Sequence, residues 1–106
     1  MTEMTVRELA DQLMQFYNQQ DYDGGLQLLD EKAGLFPQDA ARTTFWRMCL
    51  LSLNNRPNDV MSVFRQALDS GLWWSDGQFR DTDLDLVRDL SEFKALVEES
   101  NKKCVE

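Results

Sequence analysis

Histidine is absent from the 106-residue sequence, and this absence removes several kinds of chemistry. Neither Ser-His-Asp nor Cys-His catalysis can be assembled without an imidazole base, and too few soft ligands remain for an ordinary zinc site. The two cysteines, Cys49 inside an apolar stretch and Cys104 beside the C-terminus, do not suggest a disulfide framework. We therefore expect free thiols, no catalytic, cofactor-binding or metal-binding residues, and a chain that is not an enzyme.

Basic residues and long apolar runs are also scarce. Eleven basic residues stand against nineteen acidic ones, a formal charge of −8 that should repel a phosphate backbone. No apolar run reaches the roughly 18–20 residues that span a bilayer, and the N-terminus lacks the basic flank and apolar core of a secretory signal. We expect neither a nucleic-acid nor a membrane partner, and a cytoplasmic location.

The hydrophobic pattern predicts helices along most of the chain, and 106 residues suit one domain. The first helix runs from Thr5, an N-cap paired with Glu8, to about Gln19. A second apolar pattern follows Gly24 and Gly25, which near a helix start permit close approach of a partner helix. With that second helix, residues 6–38 form a first helical hairpin.

Residues 39–74 form a second hairpin with a clearer pattern. Its first helix, about Ala40 to Leu53, is apolar around most of its circumference and is expected to be the central helix of the domain. Its second helix begins at Pro57, where a missing N–H costs nothing, and ends near Gly71. Trp46 and Phe64 are expected to be buried between the hairpins.

Residues 75–106 do not repeat the hairpin and are predicted to cap it. A short turn over Ser75 to Arg80 precedes an apolar plug formed by Leu84, Leu86 and Val87. Ser91 can cap a last helix that runs to about Lys103, with apolar side chains facing inward. A core-packing role is favoured for Trp73 and Trp74 over a stacking platform for a sugar or a base.

Two segments carry a resemblance to the tetratricopeptide repeat family. They are Asp21-Tyr22-Asp23-Gly24-Gly25-Leu26 with Leu29 and Pro37, and Asn58-Asp59-Val60-Met61-Ser62-Val63-Phe64-Arg65-Gln66-Ala67-Leu68. A shift of 35 residues aligns the two hairpins, close to the 34 residues of such repeats. The resemblance implies an all-α, right-handed helical repeat of two hairpins plus a C-terminal capping helix.

That resemblance also implies a non-catalytic protein–protein interaction module. In the family, the first helix of each hairpin lines a concave surface, which here gives the candidate partner-binding residues Arg7, Ala10, Met14, Tyr17, Arg42, Phe45 and Cys49. The partner would be a protein, a peptide or a neighbouring domain, with a homodimer as an alternative. The equivalent Arg7 and Arg42 would hold a carboxylate, unless each pairs with a local acid such as Glu3 or Asp39.

A second resemblance rests on three other pieces of the chain. They are Arg42-Thr43-Thr44-Phe45-Trp46-Arg47-Met48-Cys49, the exit Gly71-Leu72-Trp73-Trp74, and Asp83-Leu84-Asp85-Leu86-Val87-Arg88 followed by Phe93 and Leu96. These pieces are similar to bacterial helical-repeat domains that are sometimes joined to α/β-hydrolase enzymes. This resemblance implies an alternative function, that of an accessory N-terminal domain whose catalytic partner lies elsewhere.

Residues 81–92 offer a third alternative, because their acids occupy several ligand positions of a calcium-binding loop. Leu86 stands where the sharp turn of such a loop needs glycine, and Arg88 stands where an apolar residue is usual. We therefore favour solvated aspartates alternating with buried Leu84 and Leu86 over a calcium site.

Overall fold

The computed structural model describes residues 4–105, which form six α-helices and no β-strand within that range. The helices are α1 (Val6–Asn18), α2 (Tyr22–Lys32), α3 (Ala40–Leu53), α4 (Pro57–Asp69), α5 (Asp85–Arg88) and α6 (Ser91–Val105). Short 3-10 turns lie at Ala33–Leu35, Pro37–Asp39, Asp76–Arg80 and Thr82–Leu84. The all-α class predicted from the sequence is confirmed. None of the described helices is long and apolar enough to cross a membrane.

The first two helices begin with side-chain caps. The Thr5 hydroxyl accepts a hydrogen bond from the N–H of Glu8 at 3.1 Å, and the Asp21 carboxylate accepts one from the N–H of Gly24 at 3.0 Å. Each cap satisfies a backbone donor that has no partner within its helix. The predicted N-terminus of α1 is therefore confirmed, and the position of α2 is fixed by Asp21.

The turns of the two hairpins have the same geometry, 35 positions apart. Gln20 and Asn55 both take the left-handed conformation with φ of 58°. In each turn the next residue closes a hydrogen bond back into the preceding helix, from Asp21 N–H to Phe16 C=O at 2.9 Å and from Arg56 N–H to Leu51 C=O at 3.0 Å. This is the Schellman ending of a helix. Both helix pairs thus reverse direction by the same local device.

Helix α3 is the centre of the domain, as its apolar circumference predicts. It packs against α2 and α4 on two sides, and against the Thr82–Leu84 turn and α5 on another. Met48, Leu50 and Leu51 are buried along it. At the contact with α2, a Cβ on Gly25 would lie 3.1 Å from a Leu50 methyl group, so glycine permits the close approach expected there.

An aromatic cluster joins α4 to the C-terminal cap. The buried rings of Phe64, Trp74, Phe79 and Phe93 meet with centroid separations between 5.3 and 6.4 Å, within the favourable range for aromatic pairs. Ser100 of α6 is buried and bonds to Trp74, a member of this cluster. Its hydroxyl accepts from the N–H of Trp74 and donates to the C=O of the same residue, both at 2.8 Å. These bonds fasten the segment after α4 to α6.

Three apolar residues that were predicted to be buried are exposed or only partly buried. Leu86 is 44% exposed because residues 85–88 form a helical turn, whose three-residue spacing buries Leu84 and Val87 instead of alternate positions. Trp73 is also largely exposed, whereas Trp74 is buried and donates its indole N–H to the C=O of Ala41 at 3.1 Å. Trp46 is only partly buried, while Phe64 is fully buried as predicted.

Candidate functional site

An open cleft lies between α1, α3 and the turn that precedes α5. We call it the α1–α3 cleft; it has a volume of about 430 Å³. Its lining comprises Ala10, Leu13, Met14 and Tyr17 of α1, Phe45, Trp46, Cys49 and Leu50 of α3, Thr82 and Asp83 of the turn, and Asp81 just before it. The α1 residues recur at three- and four-residue spacing, which places them on one face of that helix. The volume falls within the usual range for ligand pockets.

Five of the seven predicted partner-binding residues line this cleft together: Ala10, Met14, Tyr17, Phe45 and Cys49. Arg42 instead lines a neighbouring, more polar cavity, and Arg7 lines neither of the two. Glu3, one of the two acids considered for pairing with these arginines, lies outside the described residues. Among the ion pairs between described residues, neither arginine takes part. The structure thus does not bring both arginines to the cleft.

The neighbouring cavity has a volume of about 420 Å³ and surrounds the start of α3. Arg42, Asp39, Gln38 and Gln78 contribute its polar groups, and the exposed ring of Trp73 forms part of its wall. Phe45 and Trp46 line both cavities, so they form the partition between them.

A hydrogen bond between α1 and the turn before α5 closes one end of the cleft. The hydroxyl of Tyr17 donates to the carboxylate of Asp83 at 2.8 Å, across 66 positions of sequence. This bond, with the nearby negative charge of Asp83, raises the pKa of Tyr17 to about 12. Burial raises the pKa of Asp83, the bond from Tyr17 opposes that rise, and the charges of Asp81 and Asp85 add to it.

The Tyr17–Asp83 bond makes a prediction for alkaline titration. In a Tyr22→Phe background, Tyr17 is the single tyrosine, and its absorbance at 295 nm should titrate with a midpoint close to pH 12. Since the folded pKa lies above the ordinary value, the stability from this bond is complete below about pH 10 and is lost as pH rises through the folded pKa.

Asp83→Asn is the matched variant for this titration. Asparagine keeps an acceptor for the hydroxyl but removes the charge, so the midpoint should fall toward the ordinary value of about 10. Circular dichroism at each pH verifies that the fold persists through the measurement. Equal titration midpoints for Tyr17 with and without Asp83→Asn would show that Asp83 does not raise the pKa of Tyr17.

Cys49 lies at the same end of the cleft, beside Asp81 and Asp83. Its sulfur and one carboxylate oxygen each from Asp81 and Asp83 lie within 4.8 Å of one another, a grouping in which a metal ion could be held. Burial, together with the charges of both aspartates, raises the pKa of Cys49 above that of a free thiol. The thiol is therefore protonated at neutral pH, which opposes both nucleophilic attack and metal ligation.

Residues 81–92 do not adopt the shape of a calcium loop. They form the Thr82–Leu84 turn, α5 and the first residues of α6, and Asp85 is paired with Arg88. The carboxylate of Asp81 accepts a hydrogen bond from the N–H of Asp83 at 2.9 Å, as a helix-capping side chain does. Arg88 donates to the backbone C=O groups of Phe79 and Asp81, and these two bonds hold α5 to the chain segment that precedes it. Asp81 and Asp85 thus make local contacts, and Asp81 and Asp83 line the cleft.

Sequence reasoning did not assign the remaining lining residues to a partner-binding surface. These residues are Leu13, Trp46, Leu50, Asp81, Thr82 and Asp83. Periodicity assigns Leu13 and Leu50 to the buried faces of their helices, and both are mostly buried where they line the cleft. Asp81 and Asp83 belong to the acidic stretch at residues 81–92, which the sequence does reveal. No local pattern, however, indicates that this stretch lies beside α1.

Comparison with known proteins gives one family. The family model described as "A/B hydrolase-like, N-terminal domain" matches residues 5–106, nearly the whole chain. No curated protein matches the chain, and no solved structure does.

Proposed function

Because the chain belongs to the family of N-terminal domains of A/B hydrolase-like proteins, we propose that it is a non-catalytic accessory domain that binds an α/β-hydrolase-like domain through the α1–α3 cleft. The family describes the context in which such a domain occurs, and the cleft supplies a surface for contact. The observation that carries the proposal is the apolar, open lining of this cleft, with Met14 54% exposed at its rim.

The residues present support a binding role over a catalytic one. The sequence contains no histidine to act as a base, and the thiol of Cys49 is buried and protonated. The apolar groups around the cleft are those that stabilise protein contacts, since aromatic residues and methionine are enriched at interfaces. Catalysis would then reside in the α/β-hydrolase-like domain.

We also propose that the two hairpins stack as tetratricopeptide-like repeats. The matching turns at Gln20 and Asn55, 35 positions apart, support this arrangement. So does the shared cleft, because α1 and α3 are the first helices of their hairpins and both line it. In that arrangement the cleft is the concave surface, and the C-terminal cap shields the end of the short stack.

Hydrogen–deuterium exchange tests the proposed binding surface. The chain is measured alone and with the α/β-hydrolase-like domain encoded in the same or the adjacent reading frame, added as a separate protein. Amide exchange should slow in residues 10–17 and 45–50, and in the turn at 81–83, since binding of a partner suppresses local opening at its contact surface. Protection confined to α6, or none at saturating partner concentration, would contradict the proposal.

A further inference from the structure

We propose that the segment held in the α1–α3 cleft carries a lysine or arginine side chain next to an apolar residue. This inference rests on the proposed function and specifies the chemistry of the partner. The cleft combines an apolar wall with two carboxylates at one end. The wall would bind the apolar residue of such a segment, and the carboxylates would bind its cationic group.

The carboxylates of Asp81 and Asp83 have hydrogen-bond donors but no neutralising cation among the described residues. Asp81 accepts from a backbone N–H and Asp83 from the hydroxyl of Tyr17. The nearby guanidinium of Arg88 is engaged by backbone C=O groups and by Asp85. The cleft therefore ends in negative charge that a partner cation can neutralise, and each carboxylate retains acceptor capacity for it.

Cys49 provides a second observation at the same end. Its side chain is only 7% exposed, lines the cleft, and makes no hydrogen bond among the described residues. Its sulfur lies within 4.8 Å of a carboxylate oxygen of each aspartate. A protonated thiol adds no charge, so it neither neutralises the aspartates nor competes with them for a cation. This thiol therefore lies beside the two carboxylates that would bind a cationic head.

The remaining walls suit apolar groups. Phe45, Trp46 and Leu50 on α3 face Leu13 and Met14 on α1 across the cleft. The aliphatic stem of lysine or arginine can lie on such a surface while its charged head reaches the carboxylates. Phe45 and Trp46 also offer aromatic rings to a cation or to a neighbouring apolar side chain. An acidic segment, the partner that Arg7 and Arg42 suggested from sequence, would instead meet two like charges.

Three blocked hexapeptides test the selection of charge. They are identical, with one leucine, except that the position beside it holds lysine, norleucine or glutamate. Each is titrated into the isotopically labelled chain, and backbone amide shifts are followed by NMR. The lysine peptide should perturb the amides of the cleft and bind about fivefold more tightly than the norleucine peptide, as expected for a partly exposed ion pair. The glutamate peptide should bind more weakly than both.

Variants with matched charge identify the groups responsible. Asp81→Asn with Asp83→Asn keeps both hydrogen-bond acceptors and should make the lysine and norleucine peptides bind equally. The control, Glu31→Gln with Asp89→Asn, removes the same number of charges from exposed residues outside the cleft and should retain the lysine preference. Added salt should reduce the preference for the lysine peptide over the norleucine peptide and leave the binding of the norleucine peptide unchanged.

The outcomes separate this inference from the proposed function. Equal binding of the lysine and norleucine peptides to the unmodified chain would overturn the inference about charge, while the exchange experiment with the α/β-hydrolase-like domain could still support the cleft as a docking surface. A lysine preference lost equally in the control variant would also overturn it, because attraction would then come from the overall charge. Failure of the α/β-hydrolase-like domain to protect the cleft is a separate result that contradicts the proposed function.

Discussion

Replacing Phe64 by alanine is expected to lower the free energy of unfolding by about 3–5 kcal/mol, the usual cost of removing a large buried side chain. Phe64 has no exposed surface. Its ring stacks on Phe79 at 5.3 Å and meets Trp74 and Phe93 edge-on at 5.7 and 5.4 Å. Alanine would therefore leave a cavity where α4, α6 and the segment between them join.

Urea denaturation followed by circular dichroism measures this effect. Leu35→Ala is the control, because Leu35 is 61% exposed and its truncation should change stability by no more than about 0.5 kcal/mol. Phe64→Leu gives a second, milder variant if the alanine protein does not fold. A denaturation midpoint unchanged in both Phe64 variants would mean that the aromatic cluster does not hold the cap to the hairpins.

The positions of the main helices could be predicted from sequence because their signals are local. Thr5 and Glu8 mark the start of α1, and Pro57 marks the first turn of α4. Apolar side chains lie around most of the circumference of Ala40–Leu53 and require cover on several sides, which identifies α3 as the central helix. Each inference uses residues within a single helix or its cap.

The packing of the C-terminal cap could not be predicted, since it depends on distant contacts. The bonds between Trp74 and Ser100 join residues 26 positions apart, and a serine within a helix gives no sign of a buried partner. The error at Leu86 has a related cause. Its alternation with Leu84 resembles a strand-like pattern, but the helical turn of α5 exposes it.

Most of the cleft lining on α1 and α3 could be predicted from the sequence, but the contribution of Asp81 and Asp83 could not. Ala10 and Phe45 occupy equivalent places in α1 and α3, so periodicity alone groups them with their neighbours. Arg7 and Arg42 each precede those residues by three positions, one turn or roughly 5 Å earlier along the helix axis, which separates them from the cleft. Asp83 reaches Tyr17 across 66 positions, a contact that no local spacing encodes.

A substitution that fills the cleft without altering its charge is expected to abolish most partner binding. Ala10 is a small, partly buried residue on the wall of the cleft, so Ala10→Trp would place an indole in the open space of about 430 Å³. The added ring would occupy the volume that a partner side chain needs. The dissociation constant for the α/β-hydrolase-like domain should rise at least about tenfold, equivalent to a loss of about 1.4 kcal/mol.

Leu35→Trp is the matched control, because it adds the same ring at an exposed position outside the cleft. Circular dichroism and urea denaturation establish that both variants fold. The decisive measurement is the dissociation constant of the α/β-hydrolase-like domain for the unmodified chain, for Ala10→Trp and for Leu35→Trp, by isothermal titration calorimetry. Docking through the α1–α3 cleft predicts weakened binding for Ala10→Trp alone, and a dissociation constant for Ala10→Trp equal to that of the unmodified chain would contradict it.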